Sequence, residues 1–97
     1  MITYVSLYKW TDQGIKNIKE TVTLAEKASG IAERLGGRLT NILWTQGSYD
    51  LVITSEFPDE ESAQAFTLTI GSIGNVRSET LRAYSAQDIK RIISKIP

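Results

Sequence analysis

The chain has 97 residues, 41% hydrophobic and 23% charged, and its eleven basic and eleven acidic side chains cancel. That length suits one domain with a limited core, for which pairing with a second copy would help, and the lack of a basic stripe argues against a nucleic-acid partner. There is no Cys and no His, which removes disulfides, thiolate chemistry, the commonest metal ligand and the commonest general base, so neither a metal nor a cofactor is expected.

Residues 2–10 are rich in β-branched and aromatic side chains and read as a strand. Alternation puts Val5 and Leu7 on one face and Tyr4, Ser6 and Tyr8 on the other. These first residues lack the basic start and long apolar stretch of a signal peptide. The longest apolar run, residues 51–53, is far short of the ~20 residues of a membrane span. A cytoplasmic protein with no membrane partner is therefore expected. Thr11 or Asp12 can cap a helix. Ile15, Ile18, Val22, Ala25, Ala32 and Leu35 then follow helical spacing, with Thr21-Val22-Thr23 as the place for a break. Gly36-Gly37 closes the segment.

Residues 38–45 and 48–57 read as two strands of a hairpin around Gln46-Gly47-Ser48. Asp59 can cap a second helix, with Glu60 and Glu61 at the positive end of its dipole. Ala63, Phe66, Ile70 and Ile73 form its core stripe, and Gly71 or Gly74 ends it. Residues 75–84 make a fourth strand. Ser85-Ala86-Gln87-Asp88 approximates a capping box before a short C-terminal helix with Ile89, Ile92, Ile93 and Ile96. The order β-α-β-β-α-β over residues 1–97 predicts an α+β, ferredoxin-like domain. It has a four-stranded antiparallel sheet with helices on one face.

Assigning the more aliphatic rows to the helix-covered face places Val5, Leu7, Leu51, Ile53, Leu81 and Ala83 inside. The second strand can add either Leu39 with Leu43 or Ile42 with Trp44. The open face would then carry Tyr4, Tyr8, Val52, Arg82 and Tyr84, with Ser6, Asp50, Thr54 and Thr80 among them. So apolar a face is expected to pack on a second copy of the chain, as a homodimer or larger homo-oligomer.

Three stretches carry a family resemblance: Trp10-Thr11-Asp12-Gln13-Gly14-Ile15-Lys16, Gly47-Ser48-Tyr49-Asp50-Leu51-Val52, and residues 74–83 from Gly74-Asn75-Val76-Arg77 to Leu81-Arg82-Ala83. Together they resemble the GYD-domain proteins, small bacterial and archaeal proteins. In this chain Ser48 separates the Gly from the Tyr-Asp of the naming motif. The resemblance implies a relation to the dimeric α+β barrels, in which two ferredoxin-like sheets pack face to face. It implies no particular reaction.

Two candidate sites follow. With strand one taken as parallel to strand three and antiparallel to strand four, Trp10 and Thr11 meet Asn75 and Arg77, with Glu56 nearby. Lys16 can look into the same corner. Trp10, Lys16, Asn75 and Arg77 would hold a small anionic ligand, Arg77 in bidentate fashion. The plainer alternative has Trp10 filling the core edge and Arg77 paired with Glu56 or Asp12. The second site places Tyr49 and Asp50 near Arg82 and Tyr84. Asp50 would serve as a general base and Tyr49 as a proton donor. Its structural alternative is an Asp50–Arg82 pair at the subunit seam. The leading expectation is a ligand-binding or assembly module. The alternative is a small cofactor-independent enzyme, isomerase or monooxygenase-like, with a pocket between sheet and helices.

Overall fold

A computed structural model describes residues 1–97. The elements are β1 (Ile2–Trp10), α1 (Asp12–Lys16), α2 (Thr21–Arg34), β2 (Arg38–Trp44), β3 (Leu51–Phe57), α3 (Glu60–Ile73), β4 (Val76–Ala83) and α4 (Ala86–Ile93). The expected first helix is split: a 3-10 turn, Ile18–Glu20, separates α1 from α2. Thr11 caps α1 by accepting from the Gly14 amide, and Asp59 caps α3 by accepting from the Ser62 amide. Gly74 ends α3 at φ 92°, a left-handed backbone that glycine adopts without a Cβ penalty. The Ser85/Asp88 capping box forms as expected. The Arg91 guanidinium and the Ser85 amide hold the Asp88 carboxyl down to about 2.

The sheet order is β2-β3-β1-β4 with every neighbouring pair antiparallel, consistent with the ferredoxin-like class. β1 is therefore antiparallel to β3, as the expected antiparallel sheet requires and contrary to the parallel pairing by which the two candidate sites were placed. Each crossover spans an intervening strand, so adjacent strands alternate in direction. The correction moves residues. Tyr8 pairs with Leu51 at the Trp10 end, whereas Glu56 pairs with Thr3 at the far end and forms an ion pair with Arg38.

The faces of β1 and β4 are also reversed from expectation. Directly opposed residues of an antiparallel pair share a face. Tyr4, Ser6 and Tyr8 oppose Ser55, Ile53 and Leu51 on one side and Arg82, Thr80 and Ser78 on the other. All of these lie on the helix side of the sheet, where those of the edge strand β4 stay exposed. Tyr4 packs edge-on to Phe57 at 6.4 Å, and Tyr8 is 3% exposed. Ser6 is buried but satisfied, since its hydroxyl bonds that of Thr80 at 3.1 Å. Val5, Leu7, Leu81 and Ala83 turn to the open face instead. Of the residues expected on that face, Val52 is there. Tyr4, Tyr8 and Arg82 are not, and Tyr84 lies past β4, half exposed, with the Arg82 guanidinium 4.4 Å from its ring centre.

A bulge settles β2. Leu39 opposes Ser55 and Asn41 opposes Thr54, so one residue is extra between them. The side-chain alternation shifts there, and Leu39 joins Ile42 and Trp44 on the helix side. Neither of the two expected pairings allowed for that.

Candidate functional site

The helix-covered side of the sheet is well filled at one end only. Ala32, Phe57, Ala63 and Phe66 form one core cluster, with Phe57 and Phe66 ring centres 5.3 Å apart. Here aromatic bulk from β3 and α3 fills the space that Ala32 leaves. A second cluster, Tyr8, Leu51 and Ile53, lies toward the Trp10 end. Above it α2 presents Ala25 and Ala28, and no comparable ring fills the gap. A cavity of about 200 Å³ results, lined by 17 residues, 12 of them hydrophobic. Tyr8, Leu51 and Ile53 form its floor, and Leu24, Ala28 and Ile31 its roof.

One corner of the cavity is polar, and the α1–β4 junction builds it. The Thr11 amide donates to the Asn75 carbonyl at 3.1 Å, and the Thr11 hydroxyl donates to the Gly74 carbonyl at 2.5 Å. Gly14 packs so tightly there that a Cβ would stand 2.0 Å from the Asn75 carbonyl oxygen. The Asn75 side-chain oxygen accepts from Gln13 at 2.9 Å and from Asn17 at 3.4 Å. Asn75 and Asn17 both line the cavity, and the Asn75 side-chain amide and the Asn17 side-chain oxygen have no hydrogen-bond partner in the chain. Trp10 and Thr21 complete the corner, and Trp44 donates to the Thr21 hydroxyl at 3.0 Å.

Of the sequence-predicted ligand residues, Trp10 and Asn75 line this cavity and Lys16 and Arg77 do not. Arg77 opposes Lys9 in register, and its guanidinium donates to the carbonyls of Gly71, in the last turn of α3, and of Val76. Lys16 is exposed in the last turn of α1. The one charged side chain in the lining is Lys27, exposed at the mouth.

Tyr49 and Asp50 also lie outside the lining. The Asp50 carboxylate accepts from the Trp10 amide at 2.9 Å, and the Asp50 amide donates to the Tyr8 carbonyl at 2.8 Å. Asp50 thereby ties the start of β3 to the end of β1. The Tyr49 hydroxyl donates to Glu79 at 2.7 Å, which pushes its phenol up from 10, and the Lys9 ammonium sits 5.4 Å from its ring centre. Arg82 is at the opposite end of β1, beside Tyr4, so no Asp50–Arg82 pair forms.

Tyr8, expected at the open-face interface, lies in the cavity instead, a role that sequence reasoning missed. Its phenol lies in the cavity floor, and burial pushes it above the usual 10, with the Ser6 hydroxyl opposing the shift. The native state therefore holds this proton more tightly than the unfolded chain. The stability is fully present below pH 10 and is lost as the pH rises through the raised native value. Tyr8→Phe is expected to flatten the fall in unfolding free energy above about pH 10, measured by urea titration at several alkaline pH values. Tyr4, raised chiefly by burial, and Tyr49 would keep part of the slope. An unchanged slope would place the Tyr8 phenol in contact with bulk water.

No group of three or more acidic side chains is arranged to hold a metal, and no helix is long and apolar enough to cross a membrane. The family model of the GYD domain matches residues 4–93. Comparisons with curated proteins and with solved structures gave no match.

Proposed function

The chain belongs to the GYD-domain family, and from that premise we propose that it is a self-associating module that binds one compact, uncharged ring compound between sheet and helices. The observation that carries this reading is the cavity of about 200 Å³ with an apolar body and one polar corner. Pockets of that make-up bind by shape and orient by a few placed groups. An apolar cavity of about 150 Å³ already accommodates benzene. A single ring with a short polar substituent therefore fits the volume. The Tyr8 phenol, the Asn75 amide and the Asn17 side-chain oxygen can then meet the substituent. A buried anion would lack a cation, since Lys27 reaches only the mouth. The binding reading is favoured over the enzyme because neither Tyr49 nor Asp50 borders the cavity.

Assembly is the second part of the reading. The open face gathers Val5, Leu7, Leu43, Val52 and Leu81, with Asn41, Thr54 and Glu79 among them, Lys9 and Arg77 at one end and Arg38 and Glu56 at the other. An apolar centre with a charged rim is the anatomy of a protein interface. Two such sheets face to face would make a dimeric α+β barrel, with the cavities on its outer sides.

The ligand reading is tested with 4-fluorophenol and 4-fluorobenzoate, followed by fluorine NMR. The expected result is saturable binding of the phenol, weakened at least about tenfold in Ala28→Phe, whose ring would occupy the roof. Circular dichroism would confirm that the variant folds. Equal binding to both proteins would mean the cavity is not the site. Tighter binding of the benzoate, lost in Lys27→Gln, would restore the anionic ligand expected from sequence.

A further inference from the structure

The C-terminal helix is well formed yet covers nothing in its own subunit. Ser85 and Asp88 cap it reciprocally, and Arg91 pairs with Asp88 at 2.8 Å. Its apolar stripe is nevertheless bare: Ile89, Ile92, Ile93 and Ile96 are between 40% and 66% exposed. The molecule is long and thin, 51 × 31 × 18 Å, and no other element packs extensively on α4. Helices shorter than about 12–15 residues are marginal in water without tertiary packing. Eight residues with four bare isoleucines on or beside them therefore call for a surface to cover.

We propose that α4 is an exchanged arm: in the assembly, the helix of each protomer lays its isoleucine stripe on the partner's sheet, at the margin of the partner's open-face patch. The inference rests on the sheet-to-sheet pairing proposed above. Two further observations point to a second copy as the occupant. The first is continuity. α4 leaves β4 at Ala83, and Leu81 and Ala83 already belong to the open-face patch. An arm leaving that edge prolongs the same apolar surface beyond the subunit that carries it.

The second is area. Four strands ~4.8 Å apart and about seven residues long give the sheet a footprint of roughly 400 Å². Stable interfaces bury about 800 Å² on each partner. α4, eight residues, is about 12 Å long and roughly 10 Å wide, and each protomer both gives one and receives one. Together they supply most of the missing area. The basic side chains Lys90, Arg91 and Lys95 lie off the stripe and stay in water.

The chain has no Cys, so one introduced thiol is a unique label site. Ser94→Cys carrying a nitroxide, unlabelled with nitrogen-15, would be mixed with isotope-labelled protein of native sequence. In mixed dimers the nitroxide is expected to broaden amides of the labelled partner's β2 and β4, at the rims of its open face. Deleting residues 85–97 is expected to weaken the dimer at least tenfold in sedimentation equilibrium, while circular dichroism retains the sheet signal. Mixed dimers in which the labelled partner's β2 and β4 amides show no broadening would overturn the arm and leave the sheet pairing standing. A protein that stays monomeric at micromolar concentration would overturn both. Binding of α4 to vesicles of anionic phospholipid, with the truncated chain dimerising as before, would assign the helix to a membrane surface and overturn the arm alone.

Discussion

Gly14→Ala is expected to destabilise the protein by about 1–3 kcal/mol, the usual range for forcing an extra carbon into a packed site. The added Cβ would stand 2.0 Å from the Asn75 carbonyl oxygen, 2.9 Å from its carbon and 3.2 Å from the Trp10 ring. Two of these neighbours are backbone, so no rotamer change relieves the clash. The Thr11–Asn75 and Thr11–Gly74 hydrogen bonds meet at the same point and would have to lengthen. α1 must then lift from β4, and the polar corner of the cavity opens with it. The loss should therefore include weaker binding of the ring probe. Gly30→Ala is the contrasting variant. Nothing lies within 4 Å of its Cβ position inside α2, so the helical preference of Ala should raise stability by roughly 0.5–1 kcal/mol. Urea midpoints of the two variants, moving in opposite directions, would verify both statements. An unshifted midpoint for Gly14→Ala would mean that the α1–β4 clasp is looser than its geometry indicates.

The clasp explains part of what the sequence could and could not disclose. Element types were legible because each has a local cause. Thr11, Asp59 and Ser85 all cap as their side chains suggest, and Gly74 turns the chain as only glycine does easily. The meeting of Trp10 with Asn75 was legible because β1 was correctly taken as the antiparallel neighbour of β4. Strand direction was not secured by the same reasoning, and one error there displaced three residues together. Glu56 left the Trp10 corner, while Tyr49 and Asp50 came to that end of β1, away from Arg82, which stays at the far end.

The choice of sheet face failed for a different reason. Hydrophobicity distinguishes two faces only when one of them meets water. Here Val5 and Leu7 on one side compete with Tyr4 and Tyr8 on the other, and both rows are apolar enough to be buried. The deciding features are longer-range. Tyr4 needs Phe57 as a packing partner, and Ser6 needs Thr80 as a hydrogen-bond partner. The bulge between Leu39 and Asn41 likewise has no marker in a Leu-Thr-Asn sequence. The cavity arises from the same kind of non-local fit, since Ala25 and Ala28 read simply as small helix residues until their height above Ile53 is known.

That ambiguity of faces makes Val5→Arg the decisive variant for assembly. Val5 sits in the centre of the open face, opposed by Thr54 and Leu81, and the acids on its diagonals, Glu56 and Glu79, already hold Arg38 and Tyr49. In an isolated subunit the new side chain can reach water, so the stability should change by only about 0.5 kcal/mol. In a face-to-face dimer it meets the partner's apolar centre, and symmetry places two such charges there. Burying an unpaired charge is costly enough that the dissociation constant should rise by at least about 100-fold. Sedimentation velocity is then expected to show a folded monomer for the variant and a dimer for the native chain. Tyr8→Phe changes the opposite face and should leave the mass unaltered. If Tyr8→Phe dissociated the assembly and Val5→Arg did not, the pairing surface would be the helix-covered side, and the open sheet would need another occupant.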